Sequence, residues 1–165
     1  MRDMQMKKVT VSVFVQNQAN VLARVVSMYG QRGYNIDSLT VSATNNSEIS
    51  RITIVFSVTE ASLMQIITQT EKLEVVEKVF ILKSEESVYR ELLLVKIATG
   101  LAERSQIKEI VDIYRGKIIS LSNNSMIIEL TGSADKIDSM LEILSTYEIL
   151  DISRTGITGM SRGNK

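Results

Sequence analysis

The chain reads as an α+β protein made of two tandem ferredoxin-like βαββαβ sandwiches, and three observations predict it. Segments with the period of a strand and segments with the period of a helix come one after another as strand, helix, strand, strand, helix, strand. The same order recurs in the second half of the chain. Matched stretches, "QRGYNI" and "YRGKII", place Arg then Gly where a helix hands over to a strand in each half. A split βαβ pair of this kind, with right-handed crossovers, sets both helices on one face of a four-stranded sheet.

The elements can be justified in order. Over residues 8–16, Val9, Val11, Val13 and Val15 share one face, and Thr10, Ser12 and Phe14 the other, the period of a half-buried strand. Val21, Leu22, Val25, Val26 and Tyr29 recur at helical spacing over residues 20–32, and Gly33 comes next as a left-handed residue past the helix end. "YNIDSLTVSA" and "ISRITIVFSV" flank the polar break "TNNSE" as a hairpin-like pair. In the second of these, Ile52, Ile54, Phe56 and Val58 alternate with Arg51, Thr53, Val55 and Ser57. Thr59 is placed to N-cap a helix carrying Leu63, Ile66, Ile67 and Thr70, and "VVEKVFIL" closes as a fourth strand.

That fourth strand is apolar on both faces over residues 75–82, so the helix-free face of the sheet needs a cover, from a second domain or a second chain. The charged stretch 83–87, which lacks apolar residues, sets a boundary between domains 1–83 and 84–165. In the second half "YRELLLVKI" is a strand, and Ile107, Ile110, Val111 and Tyr114 form a helix stripe. "KIISLS" and "SMIIEL" pair around "NN", Ile137, Met140, Leu141 and Leu144 give another stripe, and "EILDISRTG" closes the sheet.

Composition bounds the function classes. The 165 residues suit one ordinary domain or two small ones, and an apolar share of 44% with 23% charged residues supports a real core. Nineteen basic and nineteen acidic side chains sum to a net charge of +0, which speaks against nucleic acid or an anionic membrane as partner. With neither Cys nor His there is no disulfide framework, thiol nucleophile, imidazole base or thiolate metal site, compatible with a cytoplasmic protein. The start "MRDMQMKK" is charged, but Thr10, Ser12 and Gln16 interrupt the apolar residues after it, and no window reaches the roughly 18 to 20 apolar residues that span a bilayer. The eight Met residues are scattered, as gap-fillers in a core would be.

The stretch "VFVQNQANVLARV", residues 13–25, turns a strand into a helix through four amides, Gln16, Asn17, Gln18 and Asn20, without Gly or Pro. The N–H groups of a helix's first turn lack internal partners and its dipole is positive there, so a carboxylate is welcome. Asn20 also suits the role of N-cap to its own helix, and capping and ligand binding are compatible. Asn35 reads equally as a local strand-start residue or a ligand contact, and Arg51 and Arg154 as solvated or paired surface charges. No P-loop or dinucleotide fingerprint occurs, and an acyl-phosphate hydrolase using Arg24 or Arg51 as its clamp lacks a Gly-rich loop at the corner. An RNA-binding module on the same strand order would need exposed aromatics on a basic surface, whereas aromatics are only 5%.

"QRGYNIDSLTVSAT", preceded by "VQNQANVLARVVSMYG" and followed by "SRITI", resembles the regulatory (small) subunit of acetohydroxyacid synthase, also called acetolactate synthase. The likeness continues through "VYRELLLVKI", "IYRGKIISLS" and the terminal "SRTGITGMSRG", covering nearly the whole chain. The resemblance implies that the first sandwich is an ACT domain that pairs with a second copy as a homodimer. It implies a branched-chain amino acid effector, usually valine, and a partner, the catalytic large subunit, that holds thiamine diphosphate, Mg²⁺ and FAD. This chain would hold no cofactor, no metal and no catalytic residue.

Carried over by position, Asn17 would contact the effector's polar end and the backbone of Ala19, Asn20, Val21 and Leu22 would receive its carboxylate. Asn35 would reach it from the partner chain, and Val21, Leu22 and Ile36 would bound its side chain. The family usually has Gly where this chain has Asn20, a departure that implies weakened feedback inhibition by the effector.

Overall fold

Lys7–Gln16 forms a central strand, β1, hydrogen-bonded along both edges, and the first sheet is organised around it. The computed structural model describes residues 6–163. After β1 come α1 (Val21–Gln31), β2 (Ile36–Ala43), β3 (Ile49–Val58), α2 (Glu60–Glu71) and β4 (Val76–Leu82). The strands are antiparallel in the order β2-β3-β1-β4, the ferredoxin-like order expected.

Register explains the core. Val11 lies opposite Ile54 on one side and Ile81 on the other, and Val13 opposite Ile52 and Val79, so one sheet face is a continuous aliphatic layer. Val25, Met28 and Tyr29 of α1 and Ile66 and Ile67 of α2 bury against it, each apolar side chain contributing about 1.5–3 kcal/mol. Tyr29 stands edge-on to Phe56 at 5.1 Å, with its hydroxyl 3.3 Å from Thr70 Oγ1. Thr59 precedes α2 without capping it, its hydroxyl donating to Ser62 Oγ at 3.1 Å.

The other face is covered, as the apolar fourth strand requires. Thr10, Ser12 and Thr53 are buried along with Val55 and Leu82, so β1 is covered on both sides. The chain itself returns to this face. The Ile157 N–H donates to Ser38 Oγ at 2.9 Å, and the Thr40 hydroxyl donates to the Ile157 carbonyl at 2.8 Å. A short strand, Thr158–Ser161, comes next, and the Arg162 N–H donates to the Glu86 carbonyl at 2.7 Å. One compact unit therefore runs to Val88 and takes back the chain from Ile157 onward, and Tyr89–Gly156 forms the other. The charged stretch at 83–87 thus lies a few residues before the boundary, and the tail belongs with the first half rather than the second.

The second unit repeats the order with β5 (Ser87–Ala98), α3 (Arg104–Ile113), β6 (Lys117–Leu121), β7 (Ser125–Gly132), α4 (Ala134–Leu144) and β8 (Ile149–Arg154), arranged β6-β7-β5-β8. Val95 sits opposite Ile128 and Ile152, and Ile107, Val111, Ile137, Met140 and Leu144 from the helices complete its core. Arg154 is paired, one of the two alternatives its sequence context allows. Its Nε donates to Glu91 Oε2 at 3.0 Å and its Nη1 to Asp138 Oδ1 at 2.6 Å, which satisfies a Glu91 carboxylate that is otherwise buried.

The two Arg-Gly turns look alike in sequence and differ in structure. After α1, Gly33 takes the left-handed conformation at φ +76°. After α3 it is Arg115 that does so, at φ 57°, and Gly116 is needed for space instead. A Cβ there would meet the Glu129 carbonyl at 3.0 Å and Val111 Cγ1 at 3.2 Å. Gly33→Ala is expected to cost about 1–2 kcal/mol through backbone strain, with Gly33→Asn milder because Asn tolerates the left-handed region. Gly116→Ala should cost about 1–3 kcal/mol through crowding, with Gly116→Asn worse than Ala. Urea unfolding of the four variants checks this opposite ranking of Asn and Ala at the two sites.

Candidate functional site

Three backbone bonds tie down the corner between β1 and α1. The Gln16 N–H donates to the Val75 carbonyl at 2.9 Å, the Asn17 N–H to the Glu48 carbonyl at 2.7 Å, and the Gln18 N–H to the Gln16 carbonyl at 3.0 Å. Asn17 adds a side-chain bond, its Nδ2 donating to the Ser47 carbonyl at 2.9 Å. With the amide nitrogen committed, Oδ1 is the Asn17 atom left to accept from a ligand.

Asn20 does not cap α1. It sits at φ 67°, ψ −1°, in the left-handed region, and its side chain makes no bond to the first turn. Capping through the side chain needs an extended backbone at the N-cap, which this conformation denies. The expected cap is therefore absent: the Val21 N–H turns back to the Gln18 carbonyl at 3.5 Å, and the Leu22 and Ala23 N–H groups of the first turn are left for an outside acceptor. Asn20 holds the backbone shape that a glycine would take at that position.

Beside the corner opens a cleft of about 400 Å³ lined by Gln16, Asn17, Gln18, Glu48 and Glu77 among others. Helix N–H groups for an anion and amide and carboxylate oxygens for a cation are the two halves of an amino acid zwitterion's needs. Ala19 and Asn20 are exposed and Leu22 is 39% exposed, next in sequence to this cleft; Val21 is buried in the core at 4%, its N–H turned to the Gln18 carbonyl.

Asn35 and Ile36 lie elsewhere in the same chain. They come after the far end of α1, and an eleven-residue helix separates its ends by about 16 Å. The Asn35 Nδ2 lies 3.4 Å from Asp37 Oδ1, a local contact. Asn17 lines the corner cleft, Asn20 borders the groove along α1 with Ala23 and Arg24, and Asn35 and Ile36 lie at β2, an edge strand of the sheet. Ser47 and Glu48, whose carbonyls hold Asn17, carry no signal in the sequence, because that contact joins residues thirty positions apart.

Arg51, expected to be a solvated or paired charge, is neither. Its guanidinium lies 5.2 Å from the centroid of Phe14 and 6.0 Å from that of Phe80, with Nε and Nη2 buried and without a hydrogen-bond partner among the described residues. Burial lowers its pKa from the usual arginine value. The signal lies in the register, since Arg51 pairs with Phe14. Arg24 borders the groove between α1 and α2 with Arg32 and Lys72, so it and Arg51 do not converge on the corner as a phosphate clamp.

A family model described as the AHAS small subunit-like ACT domain matches residues 11–78, and one described as the small subunit of acetolactate synthase matches residues 90–163. The acetolactate synthase small subunit of Mycolicibacterium smegmatis is 42% identical over 154 residues, covering 93% of this chain and 91% of that protein. This chain belongs to the acetolactate synthase small-subunit family. A probable acetolactate synthase small subunit of Archaeoglobus fulgidus is 40% identical over 158 residues, covering 96% of this chain and 99% of that protein. Among solved structures, the acetolactate synthase small subunit of Thermotoga maritima superposes with a TM-score of 0.89 at 34% identity, covering 96% of this chain and 99% of that one. The first sandwich of this small-subunit chain is accordingly an ACT domain, and no helix among the described residues is long and apolar enough to cross a membrane.

The left-handed Asn20 makes a specific expectation for the ACT domain. Asn20→Gly should leave stability within about 0.5 kcal/mol of the parent, whereas Asn20→Ala should cost about 1 kcal/mol, because Ala disfavours the left-handed region and no cap bond is at stake in either case. Thermal unfolding of both variants checks it.

Proposed function

We propose that this chain is the non-catalytic regulatory subunit of acetolactate synthase. It docks on the catalytic large subunit and raises its activity, and a branched-chain amino acid, valine foremost, reverses that effect by binding at the corner between β1 and α1. The observation that carries the effector site is the uncapped, left-handed entry into α1 beside Asn17. The effector carboxylate meets the α1 N–H groups, and Asn17 Oδ1 accepts from its ammonium. Leu22 borders its side chain.

A second copy completes the site by bringing its Asn35 and Ile36 to the corner, making the functional unit a homodimer. Binding then shifts a conformational equilibrium that the catalytic chain senses, with a coupling on the order of 1 to 3 kcal/mol. The thiamine diphosphate, Mg²⁺ and FAD of the reaction reside on that catalytic chain.

Calorimetric titration with valine, leucine and isoleucine tests the corner, and reconstitution with the catalytic subunit tests the role. At least one of the three should bind with a Kd between about 1 μM and a few mM, binding should disappear in Asn17→Ala and Asn35→Ala, and the chain should raise the catalytic rate. Asn20→Gly should tighten valine binding and inhibition about tenfold by removing a side chain from the corner. No heat with any of the three, together with no activation, would refute the reading.

A further inference from the structure

On the helix-free face of the ACT sheet, Phe14 and Phe80 stack at 6.0 Å, and two cations bracket them. Arg51 lies over both rings, and Lys78 Nζ stands 5.1 Å from the centroid of Phe80. Among the described residues neither cation has a carboxylate within ion-pair distance. Glu77 also borders the site, but its carboxylate is turned to Gln16 Nε2 at 3.5 Å. These residues line a cleft of about 700 Å³ together with Asn46 and with Met160 of the returning tail.

Buried guanidinium nitrogens without acceptors are costly, and stacking on aromatic rings offsets only part of the lost hydration. A cleft that gathers two unneutralised cations around an aromatic platform has the chemistry for an anion with a flat apolar body. We propose that this cleft is a second small-molecule site on the ACT domain, taking an organic anion whose carboxylate or phosphate sits between Arg51 and Lys78 and whose apolar body stacks on Phe80 against Met160. The site is separate from the effector corner but adjacent to it, since the two clefts share Ile49 and Glu77. The strand-entry segment beside both is the one whose Ser47 and Glu48 carbonyls hold Asn17.

The test titrates the full-length chain with phenyl phosphate and with benzoate at matched ionic strength, by calorimetry and thermal shift. One of them should bind with a Kd in the range of about 0.1 to 5 mM, and the tighter of the two tells phosphate from carboxylate. Arg51→Gln should weaken it at least about tenfold, and Lys78→Gln, at an exposed position that leaves packing alone, several-fold. Asn17→Ala should leave it unchanged, which keeps this site distinguishable from the amino acid corner whether or not valine binds there. No binding of either probe up to about 10 mM, or binding untouched by both cation variants, or binding lost in Asn17→Ala, would overturn the proposal.

Discussion

A helix cannot satisfy the N–H groups of its own first turn, and this chain leaves those of α1 without a side-chain cap at the end of its central strand. The rest of the first unit holds that end in place. β1 is bonded to β3 on one edge and β4 on the other, and its last residues are tied to the Val75 and Glu48 carbonyls just where those strands begin. The polar corner is thus a rigid, open helix terminus on a buried aliphatic frame, which is the arrangement a small zwitterion needs. Pre-organisation of this kind spares a ligand the entropy of ordering its own site.

The same sheet offers two different surfaces. Its helix face is apolar and closed, with Tyr29, Phe56 and the valines of β1 filling it. Its other face carries hydroxyls that the returning tail uses, Ser38 and Thr40, and the aromatic pair that Arg51 covers. The tail contacts span 117 and 119 positions in sequence. Loop-closure entropy grows slowly with such a span, so a few hydrogen bonds and the burial beneath them suffice to hold the end of the chain on the first unit.

Much of the fold is legible in the sequence because periodicity alone separates its elements. Val11, Val13 and Val15 of β1, Ile52, Ile54, Phe56 and Val58 of β3, and Ile107, Val111, Ile137, Met140 and Leu144 of the helices bury as their spacing requires, while Thr53 and Val55 are buried on the opposite face as well. The illegible parts depend on contacts distant in sequence. Nothing in "GITGMSRG" announces that it returns to β2, because its partners are two hydroxyls and a carbonyl far upstream. Asn20 looks like a cap because its residue type favours that role, while its φ of 67° is set by the turn. Arg51 looks like a surface charge because strand alternation says which face a residue takes, not what shares that face. The Arg-Gly repeat is visible, but the same two letters serve different needs, conformational at Gly33 and steric at Gly116.

The proposed regulation requires one amino acid site made by two copies, Asn17 from one and Asn35 from the other. The most direct measurement mixes Asn17→Ala chains with Asn35→Ala chains, allows subunits to exchange, and titrates valine. Each hybrid dimer would then hold one site with both asparagines intact, so valine binding absent from either variant alone should return in the mixture at about a quarter of the parent's sites, half of the dimers being hybrids with one intact site each. A mixture as silent as its two components, with exchange verified by mass, would contradict a shared site.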